Sequence, residues 1–267
     1  MWWQLRAAVI LYGGAVRCVA QYRADLVFSM IAGLLFQGSG FLTVWVILAR
    51  FDAIAGWSIS DMALLYGMRL CSHGLWVVLL SPLSQLSRYI REGTFDRFLV
   101  RPVNPLVQLM TTRIWFAPVG DLIGGIVLLG VAVTLVNVEW TAWKVAFLIV
   151  ALIGGALLEG GVQLGLSCTS FRFVKADQLR FTTDQIFSMF GNYPAKIFGG
   201  IGLWALTAVI PVVFVAYLPA SVLLGHAEAT GLPSWLAYAS PLAGLVVTVV
   251  GYRIWMYQLR NYTGTGT

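Results

Sequence analysis

The chain has 267 residues, 59% of them hydrophobic and only 10% charged, with a net charge of +6 and a mean hydropathy of +0.83. Soluble domains carry about 25% charged residues, so this chain has too little polar surface to cover a water-soluble body, and its composition is that of an integral membrane protein. Cys18, Cys71 and Cys168 have no paired spacing and His73 and His226 are the only histidines, which excludes a disulfide framework, a thiolate zinc site and an HExxH metal helix.

At the start of the chain, Leu5, Val9, Tyr12, Val16 and Val19 recur at helical spacing, with Arg6, Gly13, Arg17 and Gln21 on the other side. The pattern predicts an amphipathic helix over residues 1–24, lying in the membrane interface and anchored by Trp2 and Trp3; the alternative is a plain extension of the first span. The apolar run is interrupted by arginines and lacks a small-residue cleavage site, unlike a secretory signal.

A helix needs about 20 apolar residues to cross a bilayer core. Six runs qualify: Leu26–Ala49, Met62–Leu86, Ile114–Val136, Val145–Cys168, Ile197–Leu218 and Pro241–Tyr257. They are continuous, not alternating with period two, so the expectation is an all-α membrane protein and not a barrel. Arg6, Arg17 and Arg23 precede the first span; Arg88, Arg91, Arg97, Arg101 and Arg113 follow the second; Arg172, Lys175, Arg180 and Lys196 follow the fourth; Arg253 and Arg260 end the sixth. Only Arg50 and Lys144 fall on the opposite side. The positive-inside rule therefore predicts cytoplasmic termini and cytoplasmic loops at 88–113 and 170–196. It also explains the net charge without a nucleic-acid partner.

Within the first of these loops, Arg91–Pro105 (REGTFDRFLVRPVNP) carries three arginines and two acids between apolar spans. Gly93 suits a helix C-cap and Thr94 an N-cap, with Asp96 in the first turn. Phe95, Phe98 and Leu99 form an apolar face, Arg97 and Arg101 lie opposite, and Pro102 ends the helix. The prediction is a helix of about two turns, too short to stand alone. From the residues, it either lies on lipid headgroups or docks a cytosolic partner.

Four ionisable residues fall inside spans: Arg69, His73, Asp121 and Glu159. A mid-bilayer charge costs roughly 2.5–3.5 kcal/mol on insertion scales, so each must face protein or water. Helical rise puts Arg69 about 12 Å and Glu159 about 21 Å below the outer edge, so spacing alone does not pair them. They form either a polar translocation lining or internal pairs that fix packing; small-residue faces at Gly120/Gly124 and Gly161/Gly165 favour packing. Residues 219–240 stay apolar but are too few to cross and return, which predicts one or two brief external re-entrant helices.

No GxxxxGK[ST] phosphate cradle, GxSxG elbow, metal constellation or catalytic carboxylate pair is present. IREGTFDRFLVRPVNPL at Ile90–Leu106, with YPAKIFGG at Tyr193–Gly200 and LTAVIPVVFVAYLPA at Leu206–Ala220, resembles permease subunits of ABC-type exporters of the type-2 class, in particular a bacterial branch with an I-R-x-G-x-x-D-x-x-L-x-R-P-x-N-P loop. The resemblance implies a coupling helix in which Phe95, Asp96, Arg97, Phe98, Leu99 and Arg101 contact an ATP-binding subunit. It further implies two such subunits carrying ATP and magnesium, a second permease that is identical or homologous, surrounding lipid, and a bacterial inner-membrane location. The chain itself is then neither an enzyme nor a cofactor carrier. It exports a solute for which the aromatic and aliphatic spans suggest an amphiphilic, lipid-like or drug-like character. The competing readings are an ion- or proton-coupled carrier using Asp121, Glu159 and His73, and a non-transporting membrane scaffold.

Overall fold

The computed structural model describes residues 23–48, 55–112, 117–173 and 176–263, and the isolated positions 10, 13, 14 and 17. The predicted interfacial helix of residues 1–24 therefore lies almost wholly outside the described residues. What is described is helical, with long helices α1 (Arg23–Leu48), α2 (Ile59–Leu80), α6 (Ala117–Leu135), α7 (Ala142–Ser167) and α12 (Ser240–Arg260). Shorter helices are α3 (Leu86–Arg91), α4 (Asp96–Leu99), α5 (Pro105–Met110), α8 (Ala176–Phe190), α9 (Gly199–Ala208), α10 (Tyr217–Leu224) and α11 (Ser234–Tyr238).

Among the described residues, four helical runs are long and apolar enough to cross a bilayer: Ile59–Arg91, Pro118–Leu135, Ala142–Phe171 and Ser240–Arg260. A bent pair, Ala195–Ala208 with Val212–Leu224, raises the number to five if it counts as one span. α1 is a continuous helix of 26 residues, about 39 Å long. The second span starts earlier than its hydropathy, at Ile59, because Ser58 and Asp61 form a reciprocal capping box there.

Side-by-side contacts give the order α1, α6, α2, α7, α12. Glycine sets the closeness of these pairs. A β-carbon on Gly161 would stand 2.7 Å from Thr248 Cα, and one on Gly154 2.6 Å from Pro241 Cα. Gly244 and Gly251 of α12 in turn abut the carbonyls of Gly154 and Gly161. α7 and α12 thus meet backbone to backbone, and Thr248 Oγ1 donates to Leu157 O at 2.6 Å across the contact. Gly67 and Gly74 likewise let α2 approach the backbone of α6 at Leu129 and Leu122. Without a hydrophobic force between helices in lipid, such contact supplies much of the association.

Two predicted segments are corrected. The fifth span, Ile197–Leu218, is not one helix: it breaks before Val212 and turns by 83°, because Pro211 lacks the amide hydrogen and its ring clashes with the preceding turn. The region 170–196 is not simply a loop either. Its α8 runs back along α2 and α7, pairing Asp177 with Ser87, Gln163 with the Arg180 carbonyl, and Ser188 with Arg69. Lys196, grouped with the cytoplasmic cations on sequence, instead donates to Ala229 O at 3.0 Å, beside the segment predicted to be external.

The 219–240 segment does contain brief helices. α10 is buried from Tyr217 to Leu223 and capped by Gly225 in the left-handed conformation. Pro219 sits inside its first turn, where proline is tolerated. Tyr217 donates to Thr230 O and its ring packs against Trp57.

Candidate functional site

The charged stretch folds around its aromatic residues. Gly93 has φ +65° and closes α3, with its amide donating to Ile90 O. Thr94 is not an N-cap: its hydroxyl donates back to Tyr89 O at 3.3 Å. The helix that follows, α4, is a single turn of four residues without a side-chain cap, shorter than the predicted two turns. Gln108 Nε2 bonds the carbonyls of Phe98 and Val103, pinning the segment from behind.

The direction of the apolar face is the main correction. Phe95 is 0% exposed and Phe98 3%. Phe95 stacks edge-on with Phe98, Phe171, Trp255 and Tyr262, and Phe98 with Tyr89. Neither ring is available to a partner, because residues far along the chain already fill the space around them. The exposed surface is Asp96, Arg97, Leu99 (41%), Val100 (82%) and Arg101. Val100 is a surface residue that the helical pattern missed. Arg97 lies over the Tyr89 and Phe98 rings, 5.5 Å and 5.6 Å from their centroids.

Of the intramembrane ionisable residues, Arg69, His73 and Glu159 meet, while Asp121 stands elsewhere on α6, half-buried and within electrostatic reach of Tyr66. Glu159 is fully buried; its Oε1 lies 2.6 Å from His73 Nδ1 and 3.9 Å from Arg69 Nη2. His73, one turn deeper than Arg69, closes most of the depth gap, and the long Arg69 side chain closes the rest. Trp76 Nε1 stands 3.2 Å from the same Nδ1. At 2.6 Å from a carboxylate, which can only accept, that nitrogen carries the hydrogen and donates it in a hydrogen bond, and the indole N–H also reaches Glu159.

Sequence reasoning missed the third wall of this cluster. Asp177, Arg180, Asp184 and Ser188 recur along one face of α8; Arg180, Asp184 and Ser188 turn toward the cluster, Asp177 stays about half exposed at the start of the helix, and Leu179, Phe181 and Met189 are exposed. Arg69 Nη2 donates to Ser188 Oγ at 3.0 Å. Asp184 lies within electrostatic reach of His73, Glu159, Arg69 and Arg180. The detectable signal is that polar stripe, which lies within the region predicted to be a cytoplasmic loop.

His73, Glu159 and Asp184 present ligand atoms all within 4.8 Å of one another. Arg69 beside Glu159 and Arg180 beside Asp184 already balance both carboxylates, so a divalent ion would add uncompensated charge where the dielectric is low. Glu159 Oε2, Asp184 Oδ1, Arg69 Nε and Arg180 Nε have no hydrogen-bond partner among the described residues. The seam therefore retains both donors and acceptors for water or a neutral polar group.

A family model described as ABC-2 family transporter protein matches residues 34–266. No curated protein and no solved structure matches the chain. The matched region takes in both the charged stretch and the polar seam, so the chain belongs to the ABC-2 transporter family: it is a multi-pass membrane permease of an ABC transporter, a transport component that is not itself an ATPase and whose family partners with an ATP-binding subunit.

Proposed function

We propose that the chain is the membrane half of an ATP-driven bacterial exporter and that its Asp96–Arg101 surface is the handle gripped by a separate ATP-binding subunit. The observation that carries this reading is Val100, 82% exposed, flanked by exposed Leu99, Asp96, Arg97 and Arg101 on a base held rigid by packed rings. Phe95 and Phe98, expected from sequence to fill the partner's groove, instead stiffen the handle. Rigidity lowers the ordering cost of docking.

In this reading the inner membrane holds six crossings with both termini in the cytoplasm: α1, the four long apolar runs, and a fifth crossing that begins with α8 and continues through the bent pair. Two ATP-binding subunits carry the ATP and magnesium, and a second permease completes the path. The cargo is an amphiphilic solute moved outward. Arg69, His73 and Glu159 act first as internal pairs that lock α2 to α7. A purified permease that transports on an ion gradient without any ATP-binding subunit would overturn this assignment in favour of a secondary carrier.

The direct test is co-purification with the ATP-binding subunit. Leu99→Asp combined with Val100→Asp is expected to weaken binding by about tenfold or more, the scale of losing a central apolar anchor, while the permease itself melts normally. Arg97→Ala is expected to change binding less, because rim charges contribute less than buried anchors. Wild-type binding by the double aspartate variant would show that the handle is elsewhere.

A further inference from the structure

Helix α8 makes polar contacts at both of its ends. At its start, Asp177 Oδ2 accepts a short hydrogen bond from Ser87 Oγ and lies 3.5 Å from Arg91 Nη1. Toward its end, Ser188 takes the Arg69 hydrogen bond and Asp184 faces His73 and Glu159. The intervening helix is unbroken and covers about 17 Å from Asp177 to Ser188. Resting on the handle assigned above, we propose that Asp177 is the positioning residue that carries handle motion to the polar seam, with α8 as the lever.

Arg91 is the last residue of α3, and the turn after it is tied back tightly. Gly93 donates to Ile90 O, and Phe95 N and Thr94 Oγ1 both donate to Tyr89 O. A displacement of Asp96–Arg101 therefore moves the end of α3 as one body, and Ser87 and Arg91 move with it. These two side chains hold Asp177 from α3. The Arg91–Asp177 pair is about half exposed on each side, so it adds little to fold stability. Its value lies in linkage.

The far end is built to shift. Alongside the buried Phe187, α8 turns polar groups toward α2 and α7, and Glu159 Oε2, Asp184 Oδ1 and Arg180 Nε have no hydrogen-bond partner among the described residues. A small axial slide can exchange partners among these polar groups. The exposed outer residues Leu179, Phe181 and Met189 face a fluid apolar surround that tolerates the slide. A discrete change of partners at one end, driven from the other, is the physical content of coupling.

The experiment uses the full permease reconstituted with its ATP-binding subunit in lipid vesicles, with Cys18, Cys71 and Cys168 replaced by alanine. A spin label on Phe181→Cys, an exposed α8 position, is read without nucleotide and after trapping with ATP and vanadate. The parent is expected to show a nucleotide-dependent spectral change. Asp177→Asn is expected to reduce its amplitude roughly tenfold, the size of one ordinary coupling energy, with subunit co-purification unchanged. Asp177→Glu should retain the change, and Asp177→Arg with Arg91→Asp should restore more of it than either single variant. An undiminished change in Asp177→Asn, or no change in a parent that does bind the subunit, overturns the lever. Failure of the parent to bind the subunit overturns the handle as well, and the binding measurement separates the two failures.

Discussion

Gly244→Val is expected to abolish the correctly packed permease, with a cost of about 3 kcal/mol or more, at or above the upper end of ordinary overpacking. A side chain at Gly244 would run into the Gly154 carbonyl, and backbone cannot rotate away as a flexible side chain can. The strain falls on the α7–α12 pair, the two helices that share a hydrogen bond from Thr248 to Leu157. Thermal unfolding in detergent measures the effect. Gly130→Val is the matched control: it too is a helical glycine, but nothing lies within 4 Å of the added carbon. Gly130→Val is expected to fold with nearly wild-type melting. Equal melting of the two variants would show that α7 and α12 do not touch through glycine.

The glycine pattern was only half legible in the sequence. Four-residue spacing pointed to Gly120/Gly124 and Gly161/Gly165, and Gly120 and Gly161 do sit against backbone. Gly165 is in ordinary contact, and Gly124 meets only the Leu34 side chain. A seven-residue interval recurs in Gly154/Gly161 against Gly244/Gly251 and in Gly67/Gly74 against α6, and it includes the tightest approach, Gly244 on the Gly154 carbonyl. Two turns bring a helix back to nearly the same face, so both spacings mark a stripe, and only a partner helix decides between them.

Hydropathy located the long helices because a lipid-spanning segment must satisfy its backbone internally and show apolar atoms outward. It failed at α8 and at Pro211 for separate reasons. α8 is partly inverted: its polar stripe meets Arg69, Glu159 and Gln163, while Leu179, Phe181 and Met189 lie outermost and Phe187 alone of its large apolar residues is fully buried. A polar stripe has the same period whether it faces water or other polar groups. The 83° bend costs nothing in mean hydropathy, so the bent pair reads as one span. The handle shows a related ambiguity. The spacing of Phe95, Phe98 and Leu99 correctly marked an apolar face, but Phe171, Trp255 and Tyr262, which cover Phe95, are too distant in sequence to announce themselves.

Glu159→Ala is expected to destabilise the permease by about 3–5 kcal/mol, the range for removing one partner of a buried ion pair. Glu159 is 0% exposed; its carboxylate accepts from His73, is reached by Trp76 and lies at ion-pair distance from Arg69. Its removal strands the Arg69 guanidinium, 3% exposed on α2, with Ser188 as a neutral acceptor and Asp184 as the remaining nearby carboxylate. Glu159→Gln keeps the volume and one acceptor but loses the charge, so its penalty should fall between wild type and alanine. Arg69→Met should partly rescue Glu159→Ala, because the double variant leaves no unpaired charge behind. Thermal unfolding of the two single variants and the double variant measures the coupling. Asp121→Asn, outside the cluster, is the comparison and should cost far less. If Glu159→Ala melts like the wild type, or the double variant shows no rescue, the Arg69–Glu159 contact contributes nothing to holding α2 against α7.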